Sequence, residues 1–212
     1  IGEPTLLEVV YAHKGSFVIN VKSKGISAHS STRDGKNANL AMIPFLSECK
    51  KIYDELESEK KWQNGLFDPP TMSWNIGIND HTSAINMTPA ESHCTIYFRP
   101  MPDVDYQPIL DRIEACAKEN GLLLKKNQYG DHFVSDPESD FVKSAMDLAR
   151  RRKARTVSYG TDAGAFSELK DKIVFGPGNI AQAHTYNEWI AIEQLSVGTQ
   201  MYSKFLRHFC CE

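Results

Sequence analysis

The sequence has no apolar run approaching the roughly 18–20 residues that span a bilayer, which excludes a membrane-embedded protein. It lacks any excess of positive charge: 24 Lys and Arg stand against 27 Asp and Glu, a net charge of −3. That balance supplies no general attraction for phosphate backbones, so no nucleic-acid partner is expected. The five cysteines are an odd number without framework spacing, and the adjacent Cys210 and Cys211 are poorly placed to bridge each other. They read as reduced thiols in a cytoplasmic protein. The self-sufficient motifs are missing too: there is no GxGxxG, P-loop, HExxH, GxSxG or CxxC. The chain opens Ile1-Gly2-Glu3-Pro4-Thr5, without an initiator Met, a basic n-region or an apolar signal core. It reads as a chain entered mid-protein.

What remains is an ordinary globular composition, 41% hydrophobic and 24% charged over 212 residues, enough for one sizeable domain or two small ones. Ser16 to Lys22 alternates, with Phe17, Ile19 and Val21 on one side, as a half-buried strand does. From Asn37 to about Leu56 apolar residues recur at helical spacing, with Pro44 set to kink or shift the helix start. Thr71 to Ile78 alternates again, placing Met72, Trp74, Ile76 and Ile78 on one face. His93 to Arg99 is a strand with Cys94, Ile96 and Phe98 inward and Arg99 on the opposite face. A helix runs from Tyr106 to Asn120, with Pro108 in its first turn and Gly121 as its stop. Leu122 to Lys126 is a short strand. The order β-α-β-β-α-β predicts a ferredoxin-like unit, a four-stranded antiparallel sheet with two helices on one face.

A second segment begins near Gly130. Asp136-Pro137-Glu138 is expected to cap a helix with the stripe Phe141, Val142, Ala145, Leu148 and Ala149. Strands are expected at Thr156–Ser158 and Ile173–Phe175, around a Gly160-Thr161-Asp162-Ala163-Gly164 turn. Gly176-Pro177-Gly178 reads as a turn, and a final helix runs from about Glu193 to His208. These elements suggest an incomplete α/β layer.

Single residues carry weaker signals. His29 lies in a Gly/Ser-rich loop and His184 follows the Gly-Pro-Gly turn; read alone, each is a solvated residue more often than a functional one. Glu3, at what reads as a strand end, is a carboxylate suited to a metal but weak alone. Arg99 could clamp a carboxylate or simply sit in water. The basic run Arg150–Arg155 reads as a helix C-terminus favoured by the dipole.

Taken together, several blocks resemble the zinc-dependent amidohydrolase family that includes acetylornithine deacetylase, succinyl-diaminopimelate desuccinylase, aminoacylase and carboxypeptidase G. They are Gly2-Glu3-Pro4-Thr5, Ala12-His13-Lys14-Gly15, Gly25 to Ser31, Gly35-Lys36-Asn37-Ala38, Asn86-Met87-Thr88-Pro89, Phe98-Arg99-Pro100, Tyr159 to Ala163, and Phe175-Gly176-Pro177-Gly178 with Gln182-Ala183-His184 and Asn187-Glu188-Trp189. They fall in the family's order over nearly the whole chain, and the last of them looks most like the acetylornithine deacetylases.

The resemblance implies a ferredoxin-like lid and dimerisation domain (residues 14–129) inserted into a partial α/β zinc-peptidase catalytic domain (residues 1–13 and 130–212). It implies Glu3 and His184 as metal ligands, one to each of two zincs per full-length subunit, other divalent ions such as cobalt being compatible. It implies His29 as the residue that stabilises the oxyanion in the partner subunit's site. Asn86 and Arg99 would hold the substrate's carboxylate and amide region, and Gly160 and Thr161 a substrate-contacting turn. The implied partners are a second copy, docked through the lid, and a small N-acyl amino acid or dipeptide. A dipeptidase, carboxypeptidase or desuccinylase of the same family is the alternative, and a non-catalytic interaction module another. The family's His-x-Asp, bridging Asp and Glu-Glu pair would all lie upstream of Glu3, and neither His-x-Asp nor Glu-Glu occurs here. The chain therefore looks like the C-terminal portion of such an enzyme, inactive by itself.

Overall fold

The computed structural model describes residues 1–211, in which seven strands and four α-helices follow one another. They are β1 (Val10–His13), β2 (Ser16–Lys24), α1 (Ala38–Ser58), β3 (Asn75–Asn79), β4 (Glu91–Phe98), α2 (Gln107–Glu119), β5 (Leu123–Gly130), β6 (Phe133–Val134), α3 (Asp140–Leu148), β7 (Arg155–Val157) and α4 (Ile192–Cys210). The chain divides into two units, Ser16–Tyr129 and a second made of Ile1–Gly15 with Gly130–Glu212.

In the unit Ser16–Tyr129 the period-2 pattern of β2 and β4 sets the register. The two strands pair antiparallel with Phe17 opposite Phe98, Ile19 opposite Ile96 and Val21 opposite Cys94. All six side chains are buried on one face. The sheet order β3-β4-β2-β5 and the antiparallel pairings give the ferredoxin-like arrangement. Asn37 caps α1, its side chain accepting from the Asn39 N–H, and the helix runs on through Pro44. Met42, Phe45, Cys49, Ile52 and Leu56 of α1 and Ile109, Leu110, Ile113 and Ala117 of α2 are buried. Burying an aromatic such as Phe98 contributes on the order of 2–3 kcal/mol. The helices are also joined by Arg112, whose guanidinium donates to Glu48 at 2.7 Å and Glu55 at 2.5 Å. Those bonds hold both carboxyls below the usual carboxylate range.

One expected strand is displaced. The strand itself covers Asn75–Asn79, and ahead of it the Met72 carbonyl accepts from the Arg99 N–H at 2.7 Å. Met72 and Trp74 are buried ahead of it, Trp74 stacking on Phe98 at 5.4 Å. Ile78 is 62% exposed on β3, the edge strand of its four-stranded sheet.

In the second unit β1 lies between β6 (antiparallel) and β7 (parallel). The α3–α4 side buries Leu7, Val9, Val142, Ala145, Ala149, Ile173 and Phe175; Val10, Phe133, Ala163 and Val174 form a smaller cluster. Three expectations need correction. The cap of α3 is Ser139, whose hydroxyl accepts from the Val142 N–H, while Asp136 closes a turn with the Glu138 N–H. The expected strand Ile173–Phe175 is too short to form a ladder of its own, yet it is bonded on both sides: Val174 bridges Val10, and Ile1 donates to the Ile173 carbonyl and accepts from the Phe175 N–H. Glu3 itself lies in irregular backbone ahead of β1, two residues after Ile1, which is bonded to Ile173 and Phe175 as a strand residue would be.

Candidate functional site

The sequence-predicted residues fall in both units. In Ser16–Tyr129, His29 and Asn86 are brought onto one two-stranded ribbon. His29 bridges Met87, and the Ser30 N–H donates to the Asn86 carbonyl at 2.8 Å. Thr88 fastens the ribbon's base, its hydroxyl donating to the Ile26 carbonyl and accepting from the Ala28 N–H. His29 is exposed, yet its ring is oriented. Nδ1 lies 2.7 Å from the Ser31 hydroxyl and accepts from the Ser31 N–H at 3.3 Å. A nitrogen that accepts from an N–H carries no proton, so the proton sits on the outward Nε2.

Arg99 follows β4 directly. Its guanidinium stands over the Tyr97 ring at 5.1 Å, and Nη1 donates to the Ser16 hydroxyl at 3.4 Å. That places it on the sheet face away from the helices, with donors to spare for a carboxylate.

In the other unit Glu3 is held by a clamp that motif reading left as a plain turn. The Gly176 carbonyl accepts from the Thr5 N–H at 3.2 Å and the Leu7 N–H at 2.9 Å, and the Gly178 carbonyl accepts from the Leu6 N–H. A β-carbon at Gly176 would meet the Glu3 carbonyl oxygen at 2.6 Å, so only glycine lets the two backbones approach. From the far side α4 secures the loop: Gln194 accepts from the Gly178 N–H, and the Tyr202 hydroxyl donates to the Phe175 carbonyl. The basic run is also engaged. Arg151 donates to the carbonyls of Leu6 and Leu7 and pairs with Glu8.

Burial raises the Glu3 pKa, the Asp162 carboxylate raises it further, and His184 acts the other way. Glu3 also raises the pKa of Tyr159 and Tyr202, after burial in each case. Glu3, Asp162 and His184 therefore share one electrostatic neighbourhood. His184 sits at φ 61°, its N–H donating to the Glu188 carboxylate at 3.0 Å. Thr161 caps the short turn Asp162–Ala165, and Gly160 is exposed just before it. A carboxylate oxygen and an imidazole nitrogen suit a divalent ion. Among the described residues, however, no three His, Cys, Asp or Glu gather closely enough to hold one. Asp162 was missed as a neighbour of Glu3; its only sequence signal was its place in the Gly160–Gly164 turn.

A third feature lies at the β3 edge. Leu40 and Ile43 on α1 are 67% and 58% exposed, and Ile43 shares an apolar groove with the exposed Ile78. A groove of about 400 Å³ opens there, lined by Met42, Ile43, Leu46, Ile78 and Ser92, among others. The buried Ser92 hydroxyl has no hydrogen-bond partner.

Comparison with known proteins adds to this picture. The family described as peptidase dimerisation domain, M20_dimer, matches residues 11–123. The acetylornithine deacetylase of Myxococcus xanthus is 27% identical over 221 residues, covering 99% of this chain and 57% of the relative. A peptidase M20 domain-containing protein of Schizosaccharomyces pombe is 30% identical over 211 residues, covering 98% of this chain and 47% of the relative. The chain thus spans about half the length of the curated relatives it matches. Among solved structures, an M20 family metallo-carboxypeptidase from Sulfolobus solfataricus superposes with a TM-score of 0.69 over 94% of this chain and 59% of its own, at 16% identity. At that identity the likeness is one of fold.

Proposed function

The chain belongs to the M20 peptidase dimerisation-domain family, and from that premise we propose that it is part of a zinc-dependent deacylase that hydrolyses the amide bond of N-acyl amino acids, as acetylornithine deacetylases do. The residue types present suit that reaction. Glu3 and His184 would be two of the metal's ligands, the remaining ligands and a carboxylate base coming from residues outside this chain. The metal, when bound, supplies a Lewis acid and a water of lowered pKa. Arg99 would take the free α-carboxylate of the substrate bidentately, Asn86 its amide region, and the Gly160–Thr161 turn its flank.

The observation that carries the reading is the state of His29. Ser31 occupies Nδ1, so Nε2–H points away from the ribbon as a ready donor, with Asn86 beside it. Such a donor serves a developing oxyanion and is worth on the order of 3–4 kcal/mol in the transition state.

The partner we infer is a second copy of the chain. The free edge of β3 offers unpaired backbone groups, and Leu40, Ile43 and Ile78 offer the apolar surface an isologous contact needs. In that dimer His29 would serve the neighbouring subunit's site.

The test uses the full-length protein. His29→Ala should lower kcat far more than it raises KM, because an oxyanion donor acts chiefly in the transition state. Co-refolding His29→Ala subunits with His184→Ala subunits should restore up to about a quarter of wild-type activity, from one working site in each mixed dimer under random pairing. A change below about twofold in both constants would return His29 to the status of a solvated loop residue. A dead mixture with mixed dimers confirmed would place His29 in its own subunit's site.

A further inference from the structure

His13 ends β1 with its imidazole wholly buried, and both ring nitrogens are engaged. Nδ1 lies 2.8 Å from the Lys14 carbonyl oxygen, which can only accept, so Nδ1 carries the proton. Nε2 lies 3.2 Å from the backbone N–H of Thr161, which can only donate, so Nε2 presents its lone pair. The two partners together select one tautomer. Phe133 closes the ring edge-on at 4.6 Å. Burial pushes the imidazole pKa down to about 4, so the ring is neutral at neutral pH. A protonated ring would have no lone pair for Thr161.

The bond to Thr161 reaches the candidate substrate turn. Thr161 in turn accepts from the Ala163 N–H through its hydroxyl at 3.1 Å and so starts the turn Asp162–Ala165. Asp162 is the carboxylate that acts on Glu3. Packing alone would be served by an apolar side chain here. A ring with a donor on one side and an acceptor on the other, each matched to a single backbone group, does something packing does not.

We propose that His13 is a positioning residue whose Nε2 holds the Thr161 N–H and thereby fixes the Gly160-Thr161-Asp162 turn in the attitude that receives substrate. The functional half of this statement rests on the deacylase reading, in which that turn contacts the substrate. The structural half stands apart from it.

Two near-isosteric variants of the full-length protein separate the two nitrogens. His13→Gln puts an amide oxygen near the Nε2 position and can still accept from Thr161. His13→Asn reaches only the Nδ1 position and leaves the Thr161 N–H buried without an acceptor. In His13→Asn, hydrogen exchange at the Thr161 amide should quicken by roughly 10–100-fold, the range expected for an orphaned buried donor. With an N-acetylated amino acid as substrate, kcat/KM should fall at least about tenfold, chiefly through KM, since the turn contacts substrate in ground and transition states alike. His13→Gln should keep Thr161 protected and hold kcat/KM within about threefold. Equal effects of the two variants, or unchanged Thr161 exchange in His13→Asn, would overturn the proposal. If either variant fails to fold, the wild-type protein still decides. Imidazole nitrogen NMR at pH 7 should find Nδ1 protonated and Nε2 bare, and the reverse tautomer refutes the assignment. A wild-type protein without hydrolytic activity would defeat the deacylase reading, while the exchange and tautomer measurements would still judge His13.

Discussion

Leu6 and Leu7 both stand at positive φ, 56° and 60°, a region that costs an ordinary side chain about 1–2 kcal/mol per residue. Their backbone N–H groups are taken by the Gly178 and Gly176 carbonyls and their own carbonyls by Arg151. The strain is held in place three residues from Glu3, where a functional side chain needs a fixed backbone. His13 shows the complementary device, a buried polar ring with both nitrogens satisfied. Its folded pKa of about 4 lies below the unfolded value of about 6.5. Between those values the unfolded chain binds the proton and the native one does not. The contribution is therefore complete above about pH 6.5 and is lost as pH falls toward about 4, a loss on the order of 3 kcal/mol. Urea denaturation at a series of pH values should show this fall in the wild type, and His13→Gln should flatten it. An equally steep fall in both would mean that other groups set the acid response. At this scale, His29 and Asn86 could be singled out in the sequence because each lies in a short local block. The pairing of His13 with Thr161 could not, since 148 positions separate them and only the β1–β7 pairing brings them together.

Strands buried on one face announced themselves, as Phe17, Ile19 and Val21 did in β2 and Cys94, Ile96 and Phe98 in β4. Edges did not. Met72 and Trp74 alternate like a strand and are buried, yet they lie outside the assigned ladder, with the Met72 carbonyl accepting from the Arg99 N–H, and Ile78 alternates toward a core that ends before it. Val174 has the apolar neighbours of a strand and meets β1 only at Val10, its neighbours Ile173 and Phe175 bonding Ile1 instead. Alternation records which side chains are buried, not which backbone groups are paired. The exposed Ile78 is best tested at its edge. In the proposed dimer, Ile78→Lys would bury a charge against a second copy and should weaken self-association roughly 30–100-fold, by about 2–3 kcal/mol. Thr95→Lys, on the opposite sheet face, should leave it unchanged. Sedimentation velocity across micromolar concentrations checks both, and an unaffected Ile78→Lys dimer would place the contact elsewhere. Between the helices, Arg112→Ala should cost about 1 kcal/mol, discounted for its partial exposure, readable as a lowered urea midpoint.

For the whole molecule, the two units differ in how completely they cover themselves. Ser16–Tyr129 closes a sheet and two helices over a continuous core, and it is expected to fold and self-associate as a separate segment. The second unit has a sheet of three short strands and leaves Trp189, Ile192, Leu195 and Leu206 exposed, as expected if further residues of the proposed enzyme cover them. Its amides should exchange faster than those of β2 and β4 in native-state hydrogen exchange. Comparable protection in the two units would show that the second is complete as it stands. No helix among the described residues is long and apolar enough to cross a membrane.

The place where the chain leaves and re-enters the second unit has a consequence for its lineage and for engineering. A β-carbon on Gly15 would sit 2.9 Å from the Gly130 carbonyl oxygen, so the exit and return points touch. To the unit that holds Glu3 and His184, everything from Ser16 to Tyr129 is in effect the contents of a single tight turn. Closing a loop costs little more when the loop grows, each doubling adding only about 0.6 kcal/mol. That junction can therefore be spliced: a short glycine-containing turn, or another domain with neighbouring termini, could be joined between residues 15 and 130 without asking β1, β6 or β7 to move.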